Sequence, residues 1–168
     1  MDEQGRQAFK AYVLARSSGL LRTAYLLTGN RTDAEDLVQT SLAKTYLAWD
    51  RIRDREALDG YVCRTMVNTQ NSFWRRKRPE VLHDDVPEAP ARDAHADSDL
   101  HDALWTAMSQ LGNRQRTIVV LRYYEDLSEA ETASVLGISV GTVKSTTSRA
   151  LSTLRDDPRA AHPDGAFA

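Results

Sequence analysis

The chain has 168 residues, enough for one domain or two small ones, and its 41% hydrophobic and 27% charged residues are ordinary for a soluble globular protein. The net charge of −2 is uneven: residues 1–78 hold 14 Lys and Arg against 9 Asp and Glu, residues 79–104 hold 1 against 8, and such segregation favours a polyanion partner for some parts only. The N-terminus is charged, which argues against a secretory signal, and no run of about 20 apolar residues could form a membrane span. The lone cysteine, Cys63, argues against an internal disulfide. We therefore expect a cytoplasmic protein.

The first block of the chain is predicted to be helical. Apolar residues between Phe9 and Tyr25 indicate one or two helices. In "DAEDLVQTSLAKTYLAWDRI", apolar residues at four-, four- and three-residue steps mark one face of a helix: Val38, Leu42, Tyr46 and Trp49. Thr32 and Glu35 fit a capping box at the start of that helix. A further helix is predicted from Leu58 to about residue 76.

The end of this last helix has the composition of a nucleic-acid interface. Amide and aromatic side chains stand just before four consecutive cations. Asn pairs with an exposed base edge, Trp stacks on a base and cations neutralise phosphates, which is what holding a single strand requires. The alternative is a basic helix end that is merely solvated. The candidate residues are Asn68, Thr69, Asn71, Trp74, Arg75, Arg76, Lys77 and Arg78.

An acidic, proline-containing segment separates this block from a second one. The stretch "RPEVLHDDVPEAPARDAHADSD" has many acids and little apolar periodicity, which predicts an extended linker at 79–98. Beyond it, apolar patterns predict a helix that stops at Gly112 and another that runs to about Tyr124. No alternating run is long enough for a sheet. The expected fold class is therefore all-α, in two helical domains.

The segment after Leu127 predicts a helix-turn-helix. Ser128 and Glu131 fit a capping box, Gly137 suits the left-handed position that ends a helix, and Ser139 suits the N-cap of the next. Two helices joined by a tight glycine-containing turn are the DNA-binding unit of many proteins. Small and apolar residues stand where the two helices would cross: Ala133, Leu136, Ile138 and Val143.

The second of these helices, in "LGISVGTVKSTTSRALSTLR", is rich in poor helix formers. Small residues let a backbone approach DNA and hydroxyls bond to phosphates, while Lys144 and Arg149 bind phosphate or read guanine. The alternative is a helical hairpin used only for packing. The candidate DNA-binding residues are Ser139, Gly141, Thr142, Lys144, Ser145, Thr146, Ser148 and Arg149.

These motifs together resemble extracytoplasmic-function (ECF) RNA polymerase sigma factors. The residues "LRYYEDLSEAETASVLGISVGTVKSTTSRALSTLR" are similar to region 4, "DAEDLVQTSLAKTYLAWDRI" to region 2.2, and "YVCRTMVNTQNSFWRRKRPE" to regions 2.3 and 2.4, in the family's order. The resemblance covers roughly residues 9–156 and is nearest to the small SigE-type members of actinobacteria. It implies a region 2 domain over 1–78, the linker, a region 4 domain over 99–156 and a disordered tail at 157–168.

The resemblance also implies a function and its partners. Such a chain would bind bacterial core RNA polymerase at the β′ clamp and the β flap and direct transcription initiation, with an anti-sigma factor as a further partner of many relatives. The region 2 residues above, with Tyr61, would handle the melted minus-10 element, and the helix-turn-helix would read the minus-35 element. The residues that would dock on the clamp are Asp36, Leu37, Gln39 and Ala43.

Three other interpretations are weaker. A stand-alone helix-turn-helix regulator leaves the amide, aromatic and basic motif before Pro79 unexplained. A small nucleic-acid hydrolase needs clustered acids on an ordered element, and the predicted helices show none. The segment "HADSDLHD" looks superficially like a metal site but falls in the linker, without side chains to orient the ligands. We therefore expect no enzyme activity, cofactor, metal or small-molecule substrate.

Overall fold

The structure, a computed structural model, describes residues 2–52, 54, 57–77 and 99–156. Across these residues it has seven α-helices and no strand, which confirms the all-α class. The chain divides into two compact units, Met1–Glu80 and Val81–Ala168. The division falls within the predicted linker, whose residues 79–98 lie outside the described ones, as does the predicted tail from residue 157. The domain boundaries remain a prediction.

The first unit is built from three long helices. They are α1 (Glu3–Thr28), α2 (Arg31–Ala48) and α3 (Leu58–Lys77), and a 3₁₀ turn at Trp49–Arg51 follows α2. Helix α2 packs against both of the others. Large apolar side chains that are almost completely buried fill the centre of this unit: Leu26, Leu27, Leu37, Trp49, Val62, Met66 and Val67. Cys63 is also buried among the core residues.

The predicted cap of α2 was wrong by two residues. Gly29, at φ 85°, ends α1, and Asn30 follows it directly as the N-cap of α2. The Asn30 Oδ1 accepts from the Asp33 backbone N–H at 2.7 Å, and the Asn30 amide donates to the Asp33 carboxylate at 2.8 Å. Asn30, and not Thr32, therefore caps α2, because Asn caps a helix as well as Thr does and stands directly after the glycine.

The predicted apolar face of α2 is also partly wrong. Val38 and Trp49 are buried, but Leu42 is only half-buried and Tyr46 is 40% exposed, with its ring edge on Phe9 at a centroid distance of 5.1 Å. The residues that α2 buries are Ala34, Leu37, Val38, Ser41 and Thr45. Two of them carry hydroxyls, and a hydroxyl hidden in a helix escapes a search for apolar periodicity. The Thr45 hydroxyl is satisfied inside the helix, where it donates to the Ser41 carbonyl at 2.8 Å.

The second unit has four helices. They are α4 (Asp99–Met108), α5 (Asn113–Val119), α6 (Glu129–Leu136) and α7 (Val140–Arg155), with a π turn at Val120–Tyr124 after α5. Helix α7 packs against α5 and α6. The core of this unit combines residues of the four helices, of the π turn and of the turn after α4: Trp105, Met108, Leu111, Ile118, Val120, Leu121, Ala133 and Val143. None of the helices in the described ranges is long and apolar enough to cross a membrane.

Candidate nucleic-acid interface

Helix α6 begins as its sequence predicts. The Ser128 hydroxyl accepts from the Glu131 backbone N–H at 3.1 Å, and the Ser128 backbone N–H donates to the Glu131 carboxylate at 2.7 Å. This is a complete capping box. Hydrogen bonding with the Ser128 side chain, and then with its backbone, holds the pKa of the Glu131 carboxyl below its usual value.

The turn between α6 and α7 is also the predicted one. Gly137 takes the left-handed conformation, at φ 66°, and the Ile138 N–H donates to the Ala133 carbonyl at 3.1 Å. Ser139 caps α7, since its hydroxyl accepts from the Thr142 N–H at 3.1 Å. The predicted packing residues meet: Ala133 and Val143 are buried with Ile118, and Leu136 and Ile138 pack against them. Helices α6 and α7 thus form a helix-turn-helix, as predicted.

One side of α7 is exposed and carries most of the predicted DNA-binding residues. Between Gly141 and Ser152 the exposed positions fall three and four residues apart, as one face of a helix requires: Gly141, Lys144, Ser145, Ser148, Arg149 and Ser152. Ser139 is exposed just before them, and Thr142 is half-buried beside its capping partner. Thr146 does not belong to this face, because it is 6% exposed and faces the core of the unit. Assigning it to DNA was wrong.

The two cations of this exposed face already have contacts within the unit. The Lys144 Nζ lies 3.6 Å from the Glu129 carboxylate, at the first residue of α6. The Arg149 Nε donates to the Ser145 carbonyl of its own helix at 3.3 Å, so its side chain stays on the exposed face. Sequence reasoning missed Glu129. The sequence does show an acidic residue at the start of α6, and in a helix-turn-helix the start of the first helix lies near the first turns of the second helix.

Helix α3 presents a second exposed line of polar residues. Three of the residues predicted to bind the minus-10 element, Tyr61, Asn68 and Asn71, are exposed, and Arg64 stands between them at the same helical spacing. Arg64 was missed because it stands a full helical turn before the amide residues that drew attention to this helix. For four further predicted residues the structure describes only the helical backbone, and a fifth lies outside the described residues; these are Trp74, Arg75, Arg76 and Lys77, and then Arg78.

Thr69 was predicted to bind nucleic acid and instead connects two helices. Its side chain is completely buried, and its hydroxyl accepts from the Lys44 Nζ of α2 at 2.8 Å. The contact brings a cation from α2 to the residue next to Asn68. Lys44 could not be found from the sequence, because the pairing joins residues that are 25 positions apart.

Three of the four residues of α2 that are predicted to dock on the polymerase lie on one exposed face of the helix. Asp36, Gln39 and Ala43 are exposed at spacings of three and four residues, and Leu47, which is 80% exposed, continues the line by one turn. Leu37 is completely buried in the first unit. It therefore supports this face from inside and does not form part of it.

Both units match known protein-family models. Residues 13–80 match the Sigma-70 region 2 family, and residues 101–154 match the Sigma-70 region 4 family. The chain is 46% identical over 153 residues to the RNA polymerase sigma-E factor of Streptomyces coelicolor, with 89% of this chain and 85% of the relative covered. It is 33% identical to the RNA polymerase sigma factor SigV of Bacillus subtilis, with 80% and 81% covered.

A solved structure agrees with these matches. The sigma factor RpoE of Bartonella quintana, in complex with the anti-sigma factor NepR, is similar with a TM-score of 0.69 and 27% identity, over 89% of this chain and 95% of that one. The chain therefore belongs to the sigma-70 family of RNA polymerase sigma factors. Within that family it is an alternative sigma factor of the ECF group, a subunit that binds core RNA polymerase and promoter DNA. A stand-alone regulator is not favoured.

Proposed function

We propose that the two units of this sigma factor divide promoter recognition between them. The region 2 domain, residues 1–78, binds core polymerase and opens the minus-10 element, and the region 4 domain, residues 99–156, reads the minus-35 element and contacts the β flap. The acidic segment at 79–98 connects them. The protein acts as an initiation factor and not as a catalyst, in the cytoplasm, where its polymerase works. The observation that carries this proposal is that α7 has one exposed side with small and basic residues and one buried side that packs on the rest of its unit.

The exposed face of α7 is suited to the major groove. Gly141 and Ser145 are small enough for the backbone to come close to DNA, and Lys144 and Arg149 supply positive charge on the same face. Replacing Lys144 and Arg149 with alanine should weaken binding to the minus-35 duplex and flatten its salt dependence, since each lost phosphate contact reduces the slope by about 0.9. Runoff transcription from the cognate promoter should fall with it.

The matched control for this test is on the same helix. Arg155→Ala removes a cation from the far end of α7, where the residue is exposed, and should leave minus-35 binding nearly unchanged. If the double variant of Lys144 and Arg149 transcribes like the wild type, α7 is not the recognition helix. If Arg155→Ala weakens binding as much as the double variant does, general charge and not a defined face controls the affinity.

The exposed line on α3 is suited to a melted strand. Asn68 and Asn71 offer amides to base edges, and Tyr61 offers a ring, while Arg64 brings positive charge to the same exposed line. Replacing Asn68 or Asn71 with alanine should impair strand opening, read by permanganate reactivity at the minus-10 element, more than it impairs closed-complex binding. The control Gln4→Ala removes an exposed amide from α1 and should change neither. Equal loss of both steps would contradict a role in opening.

The exposed face of α2 is proposed to dock on the β′ clamp. Its small apolar centre, Ala43 and Leu47, has Asp36 and Gln39 beside it, which suits an exchangeable interface. Leu47→Asp should prevent co-elution with core polymerase. Leu14→Asp is the control, since Leu14 is 75% exposed on α1 and its replacement should leave co-elution intact. The reverse result would move the docking face to α1. Because the similar Bartonella RpoE was solved with an anti-sigma factor, we also propose that an anti-sigma factor restrains this chain.

A further inference from the structure

The ion pair between Lys144 and Glu129 places an acid beside the DNA-facing side of the helix-turn-helix. The two charged groups are 3.6 Å apart, and the side chains are 63% and 35% exposed respectively. Glu129 is the first residue of α6, while Lys144 is on the exposed face of α7. The pair therefore joins the two helices of the motif at the surface that, in the proposed function, meets DNA.

We propose that Glu129 lowers the affinity of the sigma factor for duplex DNA, promoter and arbitrary sequence alike, by competing with phosphate for Lys144. The inference rests on the proposed role of α7 in minus-35 binding. Lys144 and Arg149 supply the positive charge of the exposed face of α7, so engaging Lys144 with Glu129 neutralises half of it. Binding of arbitrary DNA depends almost entirely on such charge, whereas promoter binding adds base contacts that Glu129 does not touch.

The salt dependence of binding gives this competition a measurable signature. When a lysine binds a phosphate, the DNA releases a counterion, and the affinity falls with salt by a slope of about 0.9 for that contact. Lys144 makes this contribution with or without Glu129, because a lone carboxylate holds no condensed counterion to take up again. What the ion pair reduces is the affinity, and salt screens the pair. The effect of Glu129 should therefore be largest at low salt.

The test compares Glu129→Gln with the wild type in full-length protein, by fluorescence anisotropy with a minus-35 duplex and with an unrelated duplex, from about 50 mM to about 200 mM salt. At about 50 mM salt Glu129→Gln should bind both duplexes about two- to fivefold more tightly, the size expected for an exposed ion pair. This gain should shrink toward about 200 mM salt, so that the slope of the variant is slightly steeper than that of the wild type. In a Lys144→Met background the same replacement should change neither quantity.

Glu131→Gln is the matched control. It removes an equal charge two residues away in the first turn of α6, and glutamine still serves the capping box with Ser128. Its affinity and slope should stay near those of the wild type. The inference is overturned if Glu129→Gln and Glu131→Gln act alike, if the effect of Glu129→Gln persists in Lys144→Met, or if only the promoter duplex responds. If Lys144→Met leaves minus-35 binding unchanged, the proposed function of Lys144 fails as well. If Lys144→Met weakens binding but Glu129→Gln changes nothing, only the inference about Glu129 fails.

Discussion

Gly141→Ala should make the region 4 domain more stable and its binding to DNA weaker. A Cβ built at Gly141 meets only the Ser139 Oγ, at 3.8 Å, which is ordinary van der Waals contact. The position is helical and exposed, so alanine should stabilise the fold by about 0.5 kcal/mol through the lower entropy of the unfolded chain. The same methyl group would stand between the helix backbone and DNA. Weakening one hydrogen bond of about 1 kcal/mol there makes binding about fivefold weaker.

Gly60→Ala is the matched control, since it lies in the first turn of α3 and its added Cβ has nothing within 4 Å. Both variants should gain stability in urea unfolding, but only Gly141→Ala should lose affinity for the minus-35 duplex in anisotropy. Unchanged or tighter binding by Gly141→Ala would show that this backbone does not approach DNA. A loss of stability in Gly141→Ala would refute the reasoning about its local space.

Three further outcomes follow from the second unit. Gly137→Ala should lose about 1 kcal/mol of stability in urea unfolding, because its φ of 66° strains any residue with a Cβ even though nothing lies within 4 Å. Thr132→Val should gain about 1 kcal/mol in the same assay, since the Thr132 hydroxyl is completely buried and has no hydrogen-bond partner among the described residues. The pKa of Glu131 is lower in the folded protein than its unfolded value of 4.5. The stability that its ionised carboxylate contributes is therefore complete above pH 4.5 and is lost as the pH falls through the folded pKa. In an acid titration that follows hydrogen exchange in α6, Glu131→Gln should lack this loss.

The helix-turn-helix could be predicted closely because its signals are local. Ser128, Glu131, Gly137 and Ser139 each act on backbone groups three or four residues away, so their order in the sequence fixes where α6 ends and α7 begins. The start of α2 was predicted less well, because the local signal there fits two nearby residues. Asn30 and Thr32 are both good caps, and the choice depended on Gly29 ending α1 immediately before.

Contacts between helices could not be predicted in this way. The Lys44 to Thr69 hydrogen bond and the Lys144 to Glu129 ion pair join residues 25 and 15 positions apart, and no local pattern announces either of them. Each changes a site assignment. The first moves Thr69 from the surface to the core of the region 2 domain, and the second adds Glu129 to the surface of the region 4 domain.

Serine and threonine have different places in α7, which explains why grouping them gave a wrong residue. The serines Ser145, Ser148 and Ser152 are exposed, whereas Thr146 and Thr147 are buried. A threonine carries a methyl group that packs against the core, while a serine adds little bulk to a face that must come close to DNA. A hydroxyl-rich helix therefore predicts a polar surface only at positions that its neighbours leave exposed. For α7 the buried Val143 and Ala150 mark the side that faces the core, and the residues two steps after each, Ser145 and Ser152, lie about 200° round the helix and are exposed.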